Sequence, residues 1–247
     1  MHTPLFRRLP GFLPALQRGG TGLGLLLLGL GQPLAAQQQR AGVRLPALRP
    51  GSTRNAVALD TLTSRPSLYA VGVAEGGGEI LVAGGDALTT HHRPDGATET
   101  TVGFQGRAVW LLQRRVARWR EPVMVPATVT SPAQLARFVQ QAAAQAGHSQ
   151  RNWLPFRLQG EPTVTWWTVA AFPTGQPTDA PSAGLGAHGR FAQQSLDLVG
   201  FLLPPTKRRR PPGLHLHVRP GRQPFVAHVD SLRPGSGLRL LLPALPQ

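Results

Sequence analysis

The chain has no cysteine. That excludes disulfides, thiolate metal sites and cysteine nucleophiles together. It also fits an exported protein that needs no oxidative folding. Acids are scarce, 11 Asp and Glu against 26 Lys and Arg, which leaves a net charge of +15. Lys207 is the only lysine, so the basicity is almost entirely arginine. Aromatic residues make up 6% of the chain, and the arginines are dispersed apart from Lys207-Arg208-Arg209-Arg210. Nucleic-acid binding calls for a clustered basic patch. That patch is missing, so no nucleic-acid partner is expected. Long hydrophobic runs are missing too. Leu23 to Leu30 is the apolar stretch of the N-terminal region, and it is too short to span a bilayer comfortably.

What is present is enough for one sizeable core, 247 residues at 41% hydrophobic. Residues 1–36 read as a secretory signal. Arg7, Arg8 and Arg18 form a positive region, Leu23 to Leu30 the apolar core, and Pro33-Leu34-Ala35-Ala36 a small-residue cleavage site. The expectation is export, to the periplasm or beyond, with no stable membrane span after cleavage. Residues 37–60 read as a linker or surface tail, and 61–247 as the folded domain.

Within that domain, apolar runs bounded by turn residues predict strands over 67–74, 80–83, 98–104, 107–113, 123–130, 153–160, 163–169 and 195–203. Glu75-Gly76-Gly77-Gly78-Glu79 is a tight turn between the first two, with a carboxylate at each end. His91 and His92 read as loop residues, as do 173–187 and 204–212. One helix is expected from Ser131 to about Ala146. Ser131 is its N-cap, Pro132 its first position and Gln134 the partner of a capping box. Leu135, Phe138, Val139 and Ala142 are its buried stripe, and Gly147 ends it.

The chemistry concentrates near the C-terminus. In Gly213-Leu214-His215-Leu216-His217-Val218 the two histidines are two apart, so in a strand they share a face. The turn-rich Arg219-Pro220-Gly221-Arg222-Gln223-Pro224 leads into Phe225-Val226-Ala227-His228. A hairpin pairing Arg219 with Pro224 sets His217 opposite Val226 and His215 opposite His228. Three imidazoles then converge with a fourth position free, the ligand count of a catalytic zinc site.

These motifs resemble the α-acetolactate decarboxylase family. The H-x-H pair of His215 and His217, with His228 following eleven residues after the second, matches the family's metal motif. Leu68-Tyr69-Ala70-Val71-Gly72 and Gly78-Glu79-Ile80 resemble its N-terminal strand and Gly-Glu turn. Pro155-Phe156-Arg157-Leu158-Gln159-Gly160 and Leu198-Val199-Gly200-Phe201 resemble two later strands, in the family's order. The resemblance implies an α+β fold, mixed and β-rich, with two lobes and the metal site on a hairpin between them, and a homodimer. It implies that His215, His217 and His228 hold a divalent metal, usually Zn2+. The implied substrate is a small 2-hydroxy-3-oxo acid, 2-acetolactate, decarboxylated to acetoin and carbon dioxide. Glu79 is the implied catalytic acid, with Glu75 as a second candidate. Two family features are not found. The family's arginine on the strand after the aromatic-rich one has no counterpart in Trp167-Thr168-Val169, and no acid follows Asp230. Arg157 and Arg190 are the candidates to replace the arginine. An exported, non-catalytic metal- or ligand-binding protein on the same scaffold is the alternative.

Overall fold

The computed structural model of the protein describes residues 57–62, 64–149, 153–171, 186–204, 213–221 and 223–245. The proposed signal and most of the linker lie outside the described residues, as does almost all of the basic 204–212 segment. No helix among the described residues is long and apolar enough to cross a membrane.

Two antiparallel sheets carry the architecture. The first has six strands: β1 (Val57–Ala58), β2 (Leu68–Ala74), β3 (Glu79–Ala83), β4 (Asp86–His92), β5 (Thr98–Val102) and β6 (Arg107–Arg115). They lie in the order β1-β6-β2-β3-β4-β5. After β7 (Val123–Met124) comes α1 (Pro132–Gln145), the one α-helix among the described residues. Then follow β8 (Leu154–Gly160), β9 (Val164–Ala170), β10 (Gly186–Ala192), β11 (Leu196–Leu203), β12 (Gly213–Pro220), β13 (Ala227–Arg233) and β14 (Arg239–Leu241). With β7 they form an eight-stranded sheet, β10-β9-β13-β12-β11-β8-β14-β7. The α+β, β-rich expectation therefore holds.

Side-chain alternation explains the layering. Tyr69, Val71, Leu81 and Leu88 leave the first sheet on one face and pack against Val199, Phe201, Leu203 and Val226 of the second. On the first sheet's other face lie Leu59, Leu68, Ala70, Ile80 and Val82. The second sheet's other face, with Phe156, Leu158, Leu198, Leu216 and Val218, is covered by α1 through Leu135, Val139 and Ala142. Truncating a buried aromatic such as Phe156 to Ala would cost about 3–5 kcal/mol. The helix starts where expected. The Ser131 hydroxyl accepts from the Gln134 N–H at 3.3 Å. Gln134 Oε1 reaches one residue further back than in a standard capping box, to the Thr130 N–H at 2.8 Å.

Several local expectations are corrected. His217 pairs with His228, and Val218 with Ala227, so His215 is diagonal to His228 rather than opposite it. β12 runs on to Pro220, and the Val226 N–H donates to Thr90 Oγ1 at 2.9 Å instead of to β12. The connection is therefore longer than a four-residue turn. Because the slip is two residues, all three histidines keep their common face. His91 and His92 end β4, paired with Glu99 and Thr98, so they are not in a loop. Gly186–Ala192 is a strand on the sheet edge, paired along β9, where a loop was expected as far as 187. Over 123–130 only Val123–Met124 is extended.

Candidate metal centre

The site lies where the turn between β2 and β3 meets the end of β9. Gly78 donates its N–H to the Ala170 carbonyl at 2.7 Å, and Gly77 bridges Ala171. The Ala170 N–H returns to Glu79, reaching Oε1 at 3.1 Å. Gly78 has φ +107, and a Cβ there would lie 2.6 Å from the Thr90 carbonyl oxygen. Glycine is what lets the turn come this close. In β3, Glu79 alternates with Leu81 and so enters the space between the sheets, where it is 3% exposed.

The second sheet brings the imidazoles. Strand register places Arg157, Val199, His217, His228, Thr168 and His188 in one row across it, all on one face. His215 is on the same face, one step along β12. His215 Nε2 and His217 Nε2 are 3.2 Å apart. One ligand atom from each of His215, His217 and His228 lies within 4.8 Å of the others. His217 Nε2 is also 3.4 Å from Glu79 Oε2. His215 and His217 are buried, whereas His228 keeps an open edge.

These residues fit a metal. Zn–N bonds of about 2.0–2.1 Å in tetrahedral geometry set neighbouring ligand nitrogens about 3.4 Å apart, close to the His215–His217 separation. Burial holds both of those imidazoles well below the usual histidine range, and the neighbouring imidazoles add to the effect. The Ile80 carbonyl faces His217 without completing a hydrogen bond and opposes the shift. His228 is lowered as well, by burial, with Asp230 pulling the other way. Neutral imidazole is the metal-binding form. Burial pushes the Glu79 carboxyl well above the usual carboxylate range. The Ala170 N–H opposes this, and the Asp230 charge reinforces it. The site thus joins three neutral nitrogens to a carboxyl that favours its proton.

No family model and no curated protein matches this chain by sequence. Its fold does have matches among solved structures. A Staphylococcus aureus protein of unknown function, described as similar to α-acetolactate decarboxylase, superposes with a TM-score of 0.59 at 12% identity, over 76% of this chain and 77% of that one. The α-acetolactate decarboxylase of Bacillus subtilis strain 168 gives 0.56 at 12% identity, over 76% of each chain. That of Bacillus subtilis subspecies spizizenii gives 0.56 at 13%, again over 76% of each. This chain has the α-acetolactate decarboxylase fold.

Within that decarboxylase-like fold, the two glutamates of the turn part company. Glu75 is 42% exposed, and its carboxylate pairs with Arg107 Nε at 3.5 Å. Of the arginines considered as replacements, Arg157 is engaged by Asp197 through two hydrogen bonds, of 3.2 and 2.8 Å, and lies over the rings of Tyr69 and Trp119. Arg190 sits exposed on the edge strand β10, paired with Trp166. Residues that sequence reasoning missed complete the surround. Trp110 meets His215 edge-on, with centroids 4.8 Å apart. Thr168 Oγ1 donates to Asp230 Oδ2 at 2.5 Å. Asp230 lies at the register shift between Val229 and Ser231. Its place beside His228 in sequence was a usable signal. Trp110 shares strand parity with Leu112, which packs between the sheets, and the register shift of β6 comes only after it, so parity was a usable signal there too.

Proposed function

We propose that the protein is a metal-dependent carboxy-lyase that converts 2-acetolactate to acetoin and carbon dioxide. The observation that carries this reading is the meeting of His215, His217 and His228 with the buried carboxyl of Glu79, on a fold shared with enzymes of that activity. Residues 1–36 support export as the setting.

His215, His217 and His228 would hold the metal, with zinc our choice for a set of three imidazoles. When bound, the metal supplies a Lewis acid beside the substrate's carbonyl and hydroxyl oxygens. The remaining work belongs to the chain. The bond to the carboxylate carbon breaks, carbon dioxide leaves, and a proton must reach the carbon that keeps the electron pair. Glu79 is the proposed donor, because burial shifts it toward the protonated form and the Ala170 N–H fixes Oε1. That leaves Oε2 on the side of the histidines. Glu75 is a weaker candidate, since Arg107 engages its carboxylate. Burial between the sheets excludes bulk water from His215, His217 and Glu79, which favours transfer to the substrate rather than to solvent.

The test is acetoin release from racemic 2-acetolactate by the zinc-loaded protein, with a chelated sample beside it. Chelator-sensitive acetoin above the spontaneous rate is expected. A protein that holds zinc and forms no acetoin would sink the decarboxylase reading. The second reading, a non-catalytic metal- or ligand-binding protein, would then stand. It is favoured by Trp167-Thr168-Val169, which brings no arginine.

A further inference from the structure

We propose that a cavity on the outer face of the six-stranded sheet binds a compact oxyanion with two or more negative charges, a phosphate compound or a polycarboxylate. The cavity measures about 390 Å³, within the range of small-molecule sites. Leu62 and Leu68 line it, and both belong to the apolar cluster on the face away from Glu79. Register pairs Leu68 with Arg115 and Ala70 with Gln113, so Gln113 and Arg115 emerge on that same face. Arg65 arrives from a separate piece of chain, the segment before β2, anchored by the Leu68 N–H to its carbonyl at 2.9 Å. Arg114 borders the hollow between them, but it is paired with Tyr69, so strand alternation directs its side chain to the other face.

No carboxylate among the described residues lines this cavity. Among the described residues, none of Arg65, Arg114 and Arg115 pairs with an acid, whereas Arg93, Arg107 and Arg157 all do. Of the 11 acids in the chain, Asp179 alone lies outside the described residues, so internal compensation is nearly exhausted. The like charges of Arg65 and Arg115 around one hollow repel each other, and a diffusible anion offsets that. Guanidinium forks match the spacing of oxyanion oxygens, and a chain with a net charge of +15 draws anions toward itself. The leucines leave room for a short apolar portion of the ligand. A concave hollow of this size suits a small molecule better than a duplex.

The experiment is calorimetric titration of the full-length protein with inorganic pyrophosphate, and separately with citrate, at moderate salt. Saturable one-to-one binding is expected. Arg65→Gln and Arg115→Gln should each weaken it about tenfold, the scale of a charged hydrogen bond, with the thermal midpoint tracked to confirm folding. Arg93→Gln, which removes one positive charge elsewhere, should leave it unchanged. Binding of pyrophosphate alone assigns a phosphate ligand, and of citrate alone a polycarboxylate. Both probes also chelate zinc, so the titrations are repeated in His215→Ala, where binding at the cavity should persist. The proposal is overturned if neither probe binds saturably, if Arg65→Gln and Arg115→Gln bind as the parent does, or if Arg93→Gln weakens binding equally. It is also overturned if a short oligonucleotide competes for the cavity at lower concentration than pyrophosphate does, because the surface would then serve nucleic acid. None of these results depends on acetoin formation, so this inference and the decarboxylase reading fail separately.

Discussion

Glu75 and Glu79 stand at the two ends of one glycine turn. Glu75 follows the last residue of β2, half-exposed, with Arg107 across from it. Glu79 is the first residue of β3, and strand alternation sends it inward with Leu81. Burial pushes the Glu79 carboxyl above the ordinary carboxylate range. The Ala170 N–H pulls that carboxyl back toward ionisation, and desolvation outweighs it. Identical side chains a turn apart thus receive different chemistry from their depth alone. The turn's sequence does not distinguish them. The docking of that turn on β9 does.

The largest effect should come from the partner side of Glu79. His215→Ala removes one of three nitrogens and opens a hollow beside Trp110. Zinc affinity, followed by competition with a chromogenic chelator, should fall more than the 10–100-fold carried by outer-sphere partners, and acetoin formation should vanish with it. Unchanged zinc affinity would dissolve the metal centre. Next comes the contrast between the glutamates. Glu79→Gln should keep zinc and lower acetoin turnover by about 10²–10⁴, the range for a lost general acid. Glu75→Gln breaks an exposed ion pair worth about 0–1 kcal/mol and should leave turnover close to the parent rate. Equal losses in the two variants would erase the distinction.

Much of this site was legible in the chain, and the residues show why. H-x-H on a strand needs only the two-residue period to place both imidazoles on one face. The same period made His228 robust, since the hairpin slipped by two residues and parity survived. The helix was readable because Ser131, Pro132 and Gln134 act locally. Other features depend on distant chain. Whether Val226 pairs with β12 was decided by Thr90, far away in sequence. β10 carries two glycines and an exposed alternating pattern, Gly186-Ala187-His188-Gly189-Arg190, so its local composition argues for a loop until β9 pairs with it. Glu79 was singled out by family resemblance, but its burial comes from two sheets meeting, which no local pattern records.

The turn itself can be tested within its own glycines. Gly78→Ala forces a side chain to φ +107 and sets Cβ 2.6 Å from a backbone oxygen. Left-handed backbone costs about 1–2 kcal/mol and overpacking about 1–3 kcal/mol more. A loss of roughly 2–5 kcal/mol is expected by denaturant unfolding, with turnover falling as Glu79 is displaced. Gly76→Ala has φ +78 but open space around it, so only the backbone cost of about 1–2 kcal/mol applies. If the two variants were equally stable, the close approach of the turn to Thr90 and β9 would not be what positions Glu79.

The smallest effect concerns acid, and it sets the imidazoles against the carboxyl. In the metal-free protein His215, His217 and His228 are all held below the ordinary value of 6.5. As pH falls through 6.5 the unfolded chain takes up protons there that the folded chain refuses, so folding weakens. Glu79 acts in the opposite sense. Its folded form keeps a proton above the ordinary 4.5, where the unfolded carboxyl has lost its own, so folding weakens as pH rises from 4.5. Between these values three groups pull one way and one the other. Stability of the chelated protein should therefore decline as pH drops from 6.5 toward 4.5, by on the order of 1 kcal/mol per pH unit. Glu79→Gln removes the opposing group and should steepen that decline. Urea unfolding at a series of pH values reads both proteins, and a slope that Glu79→Gln fails to change would mean that burial does not raise the Glu79 carboxyl.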